Sequence, residues 1–484
     1  MRKTVFHKEN SDYISYQKTR VSHWDKVAQK SDKWQGFSGY YHNRLQKVLQ
    51  FVIPPGQRVM EMGCGCGELL AALKPSYGVG VDFSAEMIER AKNGYPDLHF
   101  IQADAHELNI KTQFDFIILS DLVNDLWDVQ SVFKNIHVLT TPRSRIIITS
   151  YSRLWELPLW IVRKLGLAKS ALFQNWLTVD DIKGLFSLAN FEVIRHWEEI
   201  IWPINVPLIA SLLNRFIVKI WPFKIFALTH IIVAKPCNTG SFLSEAPKVS
   251  VIVPTRNETG NIAKIFSSIP EMGGGTEIIF VEGNSTDNTY ETIKKAMADN
   301  PHRLSMLLRQ DGQGKGDAVR LGFKHARGDI LMIFDADLTV SPEDLPRFYD
   351  VLANGKAEFV NGVRLVYPME KEAMRFFNFL GNKFFSLAFS WLLGQPIKDT
   401  LCGTKVLWKA DYERIAANRS YFGDFDPFGD FDLLFGAAKL NLKIVEIPIR
   451  YRERTYGTTN ISRWKHGWLL LRMVFFALRR IKFV

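Results

Sequence analysis

Short apolar runs that end in polar, glycine-rich loops and lead into amphipathic stretches recur along the chain. QRVMEMGCGCGELLAAL (57–73) reads as a strand, a tight glycine turn and a helix. GVGVDFSAEMIERA (78–91) repeats the design: a strand closing on Asp82, then a helix opened by Ser84 with Met87, Ile88 and Ala91 on one face. HFIQADAHEL (99–108) and FDFIILSDLVNDLWD (114–128) predict two more strands, the first closing near Asp104. A second series starts at KVSVIVPTRNETGNI (248–262), continues in EIIFVEGNSTDNTYETI (277–293) and ends in RQDGQGKGDAVRLGFKHARGDILMIFDADLTV (309–340). Strands alternating with helices predict α/β domains with largely parallel sheets. KPCNTGSFLSEAPK (235–248) lies between the strand-like runs THIIVA and VSVIVP and predicts a linker. The expected plan is an N-terminal extension (1–39), a first domain (40–235), a linker (236–247), a second domain (248–462) and a basic amphipathic tail (463–484).

In the first domain Gly63, Gly65 and Gly67 permit a sharp turn and close approach of backbone to a ligand. A dinucleotide fingerprint would need glycine at 68, where this chain has Glu68. A carboxylate ending the second strand suits a ribose diol, since it accepts both hydroxyl protons. Glu61-x-Gly63-x-Gly65-x-Gly67, then Asp82, then Asp104, resembles class I S-adenosylmethionine-dependent methyltransferases across roughly residues 40–235. The resemblance implies a Rossmann-like sheet and S-adenosyl-L-methionine as cofactor. It implies that Glu61 and Gly63 to Gly67 hold the methionine end, Asp82 the ribose and Asp104 the adenine amino group. Cys64-x-Cys66 has no second Cys/His pair nearby, so it reads as small residues in a tight turn, not a metal site. No base for methyl transfer stands out; an activated sulfonium needs chiefly a positioned acceptor.

In the second domain MIFDADLTV drives an apolar strand into Asp335 and Asp337, two carboxylates that would share one side of a strand and repel. A divalent cation resolves that repulsion: both acids can ligate Mg²⁺ or Mn²⁺ while phosphate oxygens complete the shell. Lys315 in GQGKGD adds a compact positive charge; Gly316 follows it, where a P-loop requires Ser or Thr. VPTRNE, EGNSTDNT, GKGDAVRLG and DAD, in that order across 248–345, resemble family-2 glycosyltransferases of the GT-A fold. The resemblance implies a nucleoside-diphosphate sugar held by Pro254, Thr255, Asn257, Glu258, Glu282, Asn284, Asp287, Lys315 and Asp335, with metal on Asp335 and Asp337. NGVRL (361–365), DTLCGTKVLW (399–408) and the stretch 431–462 are similar to polyprenol-phosphate sugar synthases such as dolichol-phosphate mannose synthase. That similarity places Arg364 and Lys405 near an acceptor phosphate, and Arg454 with the Gly457–Thr459 loop near the donor diphosphate. It makes Asp432 a substrate contact or base, the plain alternative being a carboxylate stabilising a helix start. Asp424 and Asp426 read as a solvated acidic loop. The chain departs from the pattern at Gly283 and Thr339, where carboxylates are usual, and at Lys405, where arginine would clamp phosphate with two bonds.

A formal charge of +11 over 484 residues favours an anionic partner. Nucleic acid is excluded as the expected partner: no helix reads as a groove-inserting element, and basic residues sit in apolar company. Four cysteines do not make a disulfide framework, and the N-terminus lacks the apolar core of a secretory signal, so a reducing, cytoplasmic setting is expected. No uncharged apolar run reaches spanning length; IIWPINVPLIASLL (200–213) is interrupted by Pro203 and Pro207. In RWKHGWLLLRMVFFALRRIKFV (463–484), Lys465, Arg472 and Arg479 recur every seven residues, which predicts a helix lying on an anionic membrane surface. This tail and the apolar stretch 374–394 alternatively pack in the core or between copies of a homo-oligomer. The sum is metal-dependent, inverting transfer of a hexosyl group to a polyprenyl phosphate at the cytoplasmic membrane face, beside a methyltransferase of unknown acceptor. The rival reading has a polysaccharide or soluble-sugar acceptor and a first domain that binds S-adenosylmethionine without using it.

Overall fold

The computed structural model describes residues 11–29, 37–165, 172–237, 245–364, 366, 376–422, 429–452, 454, 456 and 463–484, with side chains except at 37–38, 376–380 and 463–466. They divide into two compact units, residues 1–237 with 483–484, and residues 238–482. Both are α/β with mainly parallel sheets, as the alternation of the pattern predicts.

Unit 1 contains β1 (Arg58–Met62), β2 (Tyr77–Asp82), β3 (His99–Gln102), β4 (Phe114–Ser120), β5 (Thr140–Tyr151), β6 (Phe191–Glu199) and β7 (Thr229–Pro236). They lie in the order β3-β2-β1-β4-β5-β7-β6, parallel except for β7, which runs against both neighbours. Strand order reverses between β1 and β4, so their carboxyl ends flank the crevice where open α/β sheets bind ligands. Val79, Val81, Ile117 and Ile147 are buried because helices cover both faces of the sheet. On one face Phe133 stacks on Phe186 with ring centroids 4.3 Å apart.

Unit 2 contains β8 (Val249–Thr255), β9 (Thr276–Glu282), β10 (Ser305–Arg309), β11 (Ile330–Ile333), β12 (Phe359–Val363), β13 (Lys405–Trp408) and β14 (Ile444–Pro448). The order is β10-β9-β8-β11-β13-β12-β14, with β13 antiparallel to both its neighbours. Loops after β8, β9 and β11 therefore open on one edge.

The helix Ser11–Gln29 falls in the stretch the pattern sets apart as an extension, yet it packs on the helix Ala85–Gly94 of unit 1. The C-terminal helix Arg463–Ala477 corrects the picture of a helix lying wholly in a lipid interface. Its Leu470, Met473 and Ala477 enter the core of unit 2, while Trp468, Leu471, Arg472 and Phe475 remain exposed. The helix Phe376–Leu393 likewise buries Phe389, Leu392 and Leu393. Among the described residues no helix is long and apolar enough to cross a membrane. The side chain of Lys465, the Gly457–Thr459 loop and Asp424 and Asp426 lie outside what is described.

Phe133→Ala should lower the stability of unit 1 by about 3–5 kcal/mol, seen as an earlier urea midpoint. An unchanged midpoint would show that the Phe133–Phe186 stack is not part of the core.

Candidate active sites

In unit 1 the glycine turn after β1 takes positive φ at each expected position: 70° at Gly63, 51° at Gly65 and 80° at Gly67. A Cβ on Gly67 would stand 2.7 Å from the Phe100 ring, so the turn requires glycine sterically as well as conformationally. Gly65 N–H donates to Asp82 Oδ2 and Ser84 N–H to Asp82 Oδ1, both at 2.9 Å, which fixes the carboxylate at the end of β2. Glu61 is 3% exposed, and among the described residues its Oε2 has no hydrogen-bond partner. Burial pushes its carboxyl up to about 8; a backbone hydrogen bond from Leu70 opposes this and the Asp82 charge adds to it. A buried, half-satisfied acid beneath a glycine cradle fits a ligand that brings a cationic amino group, as S-adenosylmethionine does.

Asp104 departs from its expected role. Its Oδ2 accepts from Tyr13 Oη at 2.9 Å and Gln17 Nε2 at 2.8 Å; its Oδ1 accepts from the backbone N–H of His106 at 2.9 Å and from His106 Nδ1 at 2.6 Å. His106 Nε2 accepts from Asp128 N–H at 3.1 Å, which places the ring proton on Nδ1. Burial favours the neutral acid, but these donors prevail and hold Asp104 at about 2. Its acceptor sites are filled by the chain, so an adenine amino group would have to displace Tyr13 and Gln17. Both belong to the helix Ser11–Gln29, which also accepts a 2.5 Å hydrogen bond from Ser84 at Asp25 and pairs Arg20 with Asp125 at 3.3 Å. The cavity beneath it, bordered by Gln17, Gly63 and Asp82, holds about 30 Å³, space for a water rather than a nucleoside.

A cluster that the motifs do not reveal stands just past β4. Asp121, at φ 55°, accepts hydrogen bonds from Tyr41 Oη at 2.9 Å, Thr149 Oγ1 at 2.7 Å and Tyr151 Oη at 3.3 Å. Burial raises its pKa while the hydroxyls oppose the shift. The next residue, Leu122, abuts Gly63, so the cluster lies beside the glycine turn. The only sequence signal for it is a polar SD closing an apolar strand.

In unit 2, β11 ends at Ile333, before the two acids. Asp335 and Asp337 project from a loop, and each has its own cation: Lys315 Nζ lies 2.6 Å from Asp335 Oδ1 and Arg454 Nη2 lies 2.6 Å from Asp337 Oδ2. Burial would raise Asp335, but Lys315, helped by Lys405 and Arg364, holds its carboxyl below the usual range. Thr339 donates its hydroxyl to Asp337 Oδ1 at 2.8 Å, so it orients the acid instead of replacing a third carboxylate. Among the described residues no three His, Cys, Asp or Glu side chains gather as a metal-holding group. Two carboxylates alone suit a hard dication whose remaining ligands come from a diphosphate.

The expected donor residues form one braced rim. Pro254 and Thr255 end β8, and Thr255 O accepts from Gly283 N–H at 2.9 Å. Asn257 Oδ1 accepts from Thr286 N–H at 2.8 Å, Glu258 Oε2 from Asn261 at 2.7 Å, and Glu282 Oε1 from Ser285 N–H at 2.5 Å. Asn284 donates to Gln310 O at 3.2 Å, and Asp287 joins Thr259 at 2.8 Å to Thr289 at 2.5 Å. Tyr456 packs on Gly260, within 2.6 Å of where a Cβ would stand, bringing the segment of Arg454 onto this rim.

Three expected contacts are engaged elsewhere. Arg364 is clamped by the buried Asp399 through bonds of 2.7 and 2.9 Å. Lys405 is fully buried, donating to Cys402 O at 2.5 Å and pairing with Asp430 at 3.2 Å, so it does not present its ammonium to an acceptor. Asp432 pairs with Arg419 at 2.9 Å and starts the helix Phe431–Lys439, which supports the plain alternative of a helix-start acid.

Residues 53–190 match the family model of a methyltransferase domain, and residues 250–407 that of glycosyl transferase family 2. The chain joins a methyltransferase domain to a family 2 glycosyltransferase domain. The glycosyltransferase domain is similar to dolichol-phosphate mannosyltransferase of Pyrococcus furiosus, 31% identical over 220 residues, 44% of this chain and 59% of that protein. It is also similar to undecaprenyl-phosphate 4-deoxy-4-formamido-L-arabinose transferase of Pectobacterium carotovorum, 25% identical over 224 residues, 46% of this chain and 64% of that one. The chain thus spans about three-fifths of each relative. An S-adenosylmethionine-dependent methyltransferase from Mesorhizobium loti aligns with 41% of this chain and all of its own, at 20% identity and a TM-score of 0.33.

Because the pKa of Glu61, about 8 when folded, lies above its ordinary 4.5, the folded methyltransferase domain binds that proton more tightly than the unfolded chain. Its contribution is full below pH 4.5 and is lost as pH rises towards 8. Melting curves of Glu61→Gln should therefore fall less between pH 5.5 and 8.5 than those of the parent; parallel pH dependence would disprove the assignment.

Proposed function

We propose that the glycosyltransferase domain transfers a hexosyl group, with inversion, from a nucleoside-diphosphate sugar to a polyprenyl phosphate at the cytoplasmic membrane face. The carrying observation is the pair of cations, Lys315 and Arg454, brought onto Asp335 and Asp337 at the rim formed by the loops after β8 and β9. Asp335 and Asp337 would hold Mg²⁺ or Mn²⁺, which supplies charge neutralisation for the departing diphosphate. On donor arrival the Lys315 ammonium and the Arg454 guanidinium would turn from the carboxylates to phosphate oxygens. A phosphate acceptor is ionised at neutral pH, so no strong base is required and the engagement of Asp432 by Arg419 is no obstacle. A lipid-linked acceptor, rather than a polysaccharide or free sugar, is favoured by a groove of about 1040 Å³. It runs between Gly316, Asp317 and Arg320 and the Trp468, Arg472 and Phe475 side of the C-terminal helix.

The methyltransferase domain uses S-adenosylmethionine, with Glu61 and the glycine turn at its methionine end and Asp82 on the ribose. Asp121, Tyr41 and Tyr151 border the acceptor. A second reading, a domain that does not turn the cofactor over, is favoured by the filled state of Asp104 beneath the helix Ser11–Gln29, which opposes seating of the adenine. Methyl transfer to lysate acceptors decides between the two.

A panel of labelled nucleotide sugars, incubated with Mn²⁺ and vesicles bearing polyprenyl phosphate, should give an organic-soluble product. Asp337→Asn should reduce that product at least about 100-fold; unchanged turnover would remove the metal assignment. Asp82→Ala should weaken S-adenosylmethionine binding roughly tenfold or more by calorimetry, and an unaltered titration would refute the ribose contact.

A further inference from the structure

Among the described residues, one edge of unit 1 is apolar and uncovered. Thr229, which begins β7, pairs with Tyr151 at the end of β5 and with Glu199 at the end of β6. The segments 152–165 and 200–228 consequently leave or join the sheet at one place. Ser152 N–H donates to Leu228 O at 2.7 Å and Trp155 Nε1 to Phe226 O at 2.9 Å, which ties the segments together.

A helix on a globular domain ordinarily buries one stripe. The helix Glu156–Lys164 has no buried residue, and neither has the turn Phe223–Phe226. Leu165 is 67% exposed, Trp221 74% and Leu208 87%. Leu208 also holds φ at 64°, a conformation costing on the order of 1 kcal/mol or more, with no burial to offset it. Scattered apolar residues on a surface need no explanation, but a continuous patch marks an interaction site.

The chemistry around the patch identifies its occupant. On segments 152–165 and 200–228, Arg153, Lys164 and Arg215 are exposed and Arg163 and Lys224 half-buried, Glu156 being the segments' single acid; Lys219 is buried on Glu199, and Lys224 lies 3.8 Å from Glu198. Trp160, Trp202 and Trp221 stand exposed among them, and Lys164 Nζ lies 4.0 Å above the Trp160 ring. Tryptophan tips beside lysine and arginine on an apolar field match the boundary between acyl chains and anionic headgroups. We propose that this face docks on an anionic phospholipid bilayer, with Leu157, Trp160, Leu208, Trp221 and Phe226 entering the headgroup boundary while Arg153, Lys164 and Arg215 meet lipid phosphates. The proposal rests on the surface alone and on neither transfer activity.

The full chain is sedimented with vesicles of phosphatidylglycerol and phosphatidylcholine, and with phosphatidylcholine alone, while tryptophan quenching by brominated lipids is read in parallel. Binding should require phosphatidylglycerol. Trp160→Glu with Trp221→Glu should lower the partition coefficient at least about tenfold and reduce the quenching, with the melting temperature unchanged. Arg472→Glu with Arg479→Glu, on the C-terminal helix, serves as the comparison. The proposal is overturned if the tryptophan pair leaves partitioning unchanged or if the arginine pair alone removes it. It is equally overturned if the parent ignores both vesicles, or if the parent is a dimer that the tryptophan pair dissociates without lipid binding. None of these readouts depends on sugar or methyl transfer, so an inactive chain still answers the question.

Discussion

Parallel strands deliver their carboxyl ends to one edge, and in this chain those ends carry acids; how their negative charge is held decides what each edge can bind. Unit 1 answers with backbone N–H groups on Asp82, a retained proton on Glu61 and a full set of donors on Asp104. Unit 2 answers with whole cations, Lys315 and Arg454, on the two loop acids. Proton, hydrogen bond and counter-ion are three solutions to the same crowding, and they differ in how readily a ligand displaces them. A cation on a long side chain moves to an incoming anion without breaking the fold, whereas the donors on Asp104 come from a docked helix.

Much of this edge was legible in the chain itself. The glycine spacing permits a sharp turn, and the three glycines take positive φ; the carboxylate closing β2 is where the strand pattern put it, and Lys315 does supply a positive charge beside the loop acids. The unread part came from partners distant in sequence. Tyr13 and Gln17 reach Asp104 across about ninety residues, Asp399 claims Arg364 and Asp430 claims Lys405. Local pattern carries the type and spacing of a charged group but not its counter-charge, because tertiary packing chooses that. The same limit hid Asp121, whose three hydroxyl partners come from a helix and a neighbouring strand.

The departures from the family pattern also acquire physical reasons. Thr339 steadies Asp337 through its hydroxyl, so the position still serves the acid it follows. A Cβ at Gly283 would stand 3.1 Å from Gln310 Oε1, which leaves little room for a carboxylate there. Gly403 lies against the Asp335–Lys315 pair so closely that a methyl group would collide with the carboxylate, which makes its lack of a side chain part of the site.

Lys315 is the first residue of the helix Lys315–His325. The field at a helix start opposes positive charge by a few tenths to about 1 kcal/mol, a cost that a nearby anion offsets. Asp335 meets that need at rest, and a diphosphate could meet it equally well, whereas an uncharged sugar could not. The helix start thus favours an anion beside Lys315 by electrical sign alone, a coarse preference that acts ahead of shape.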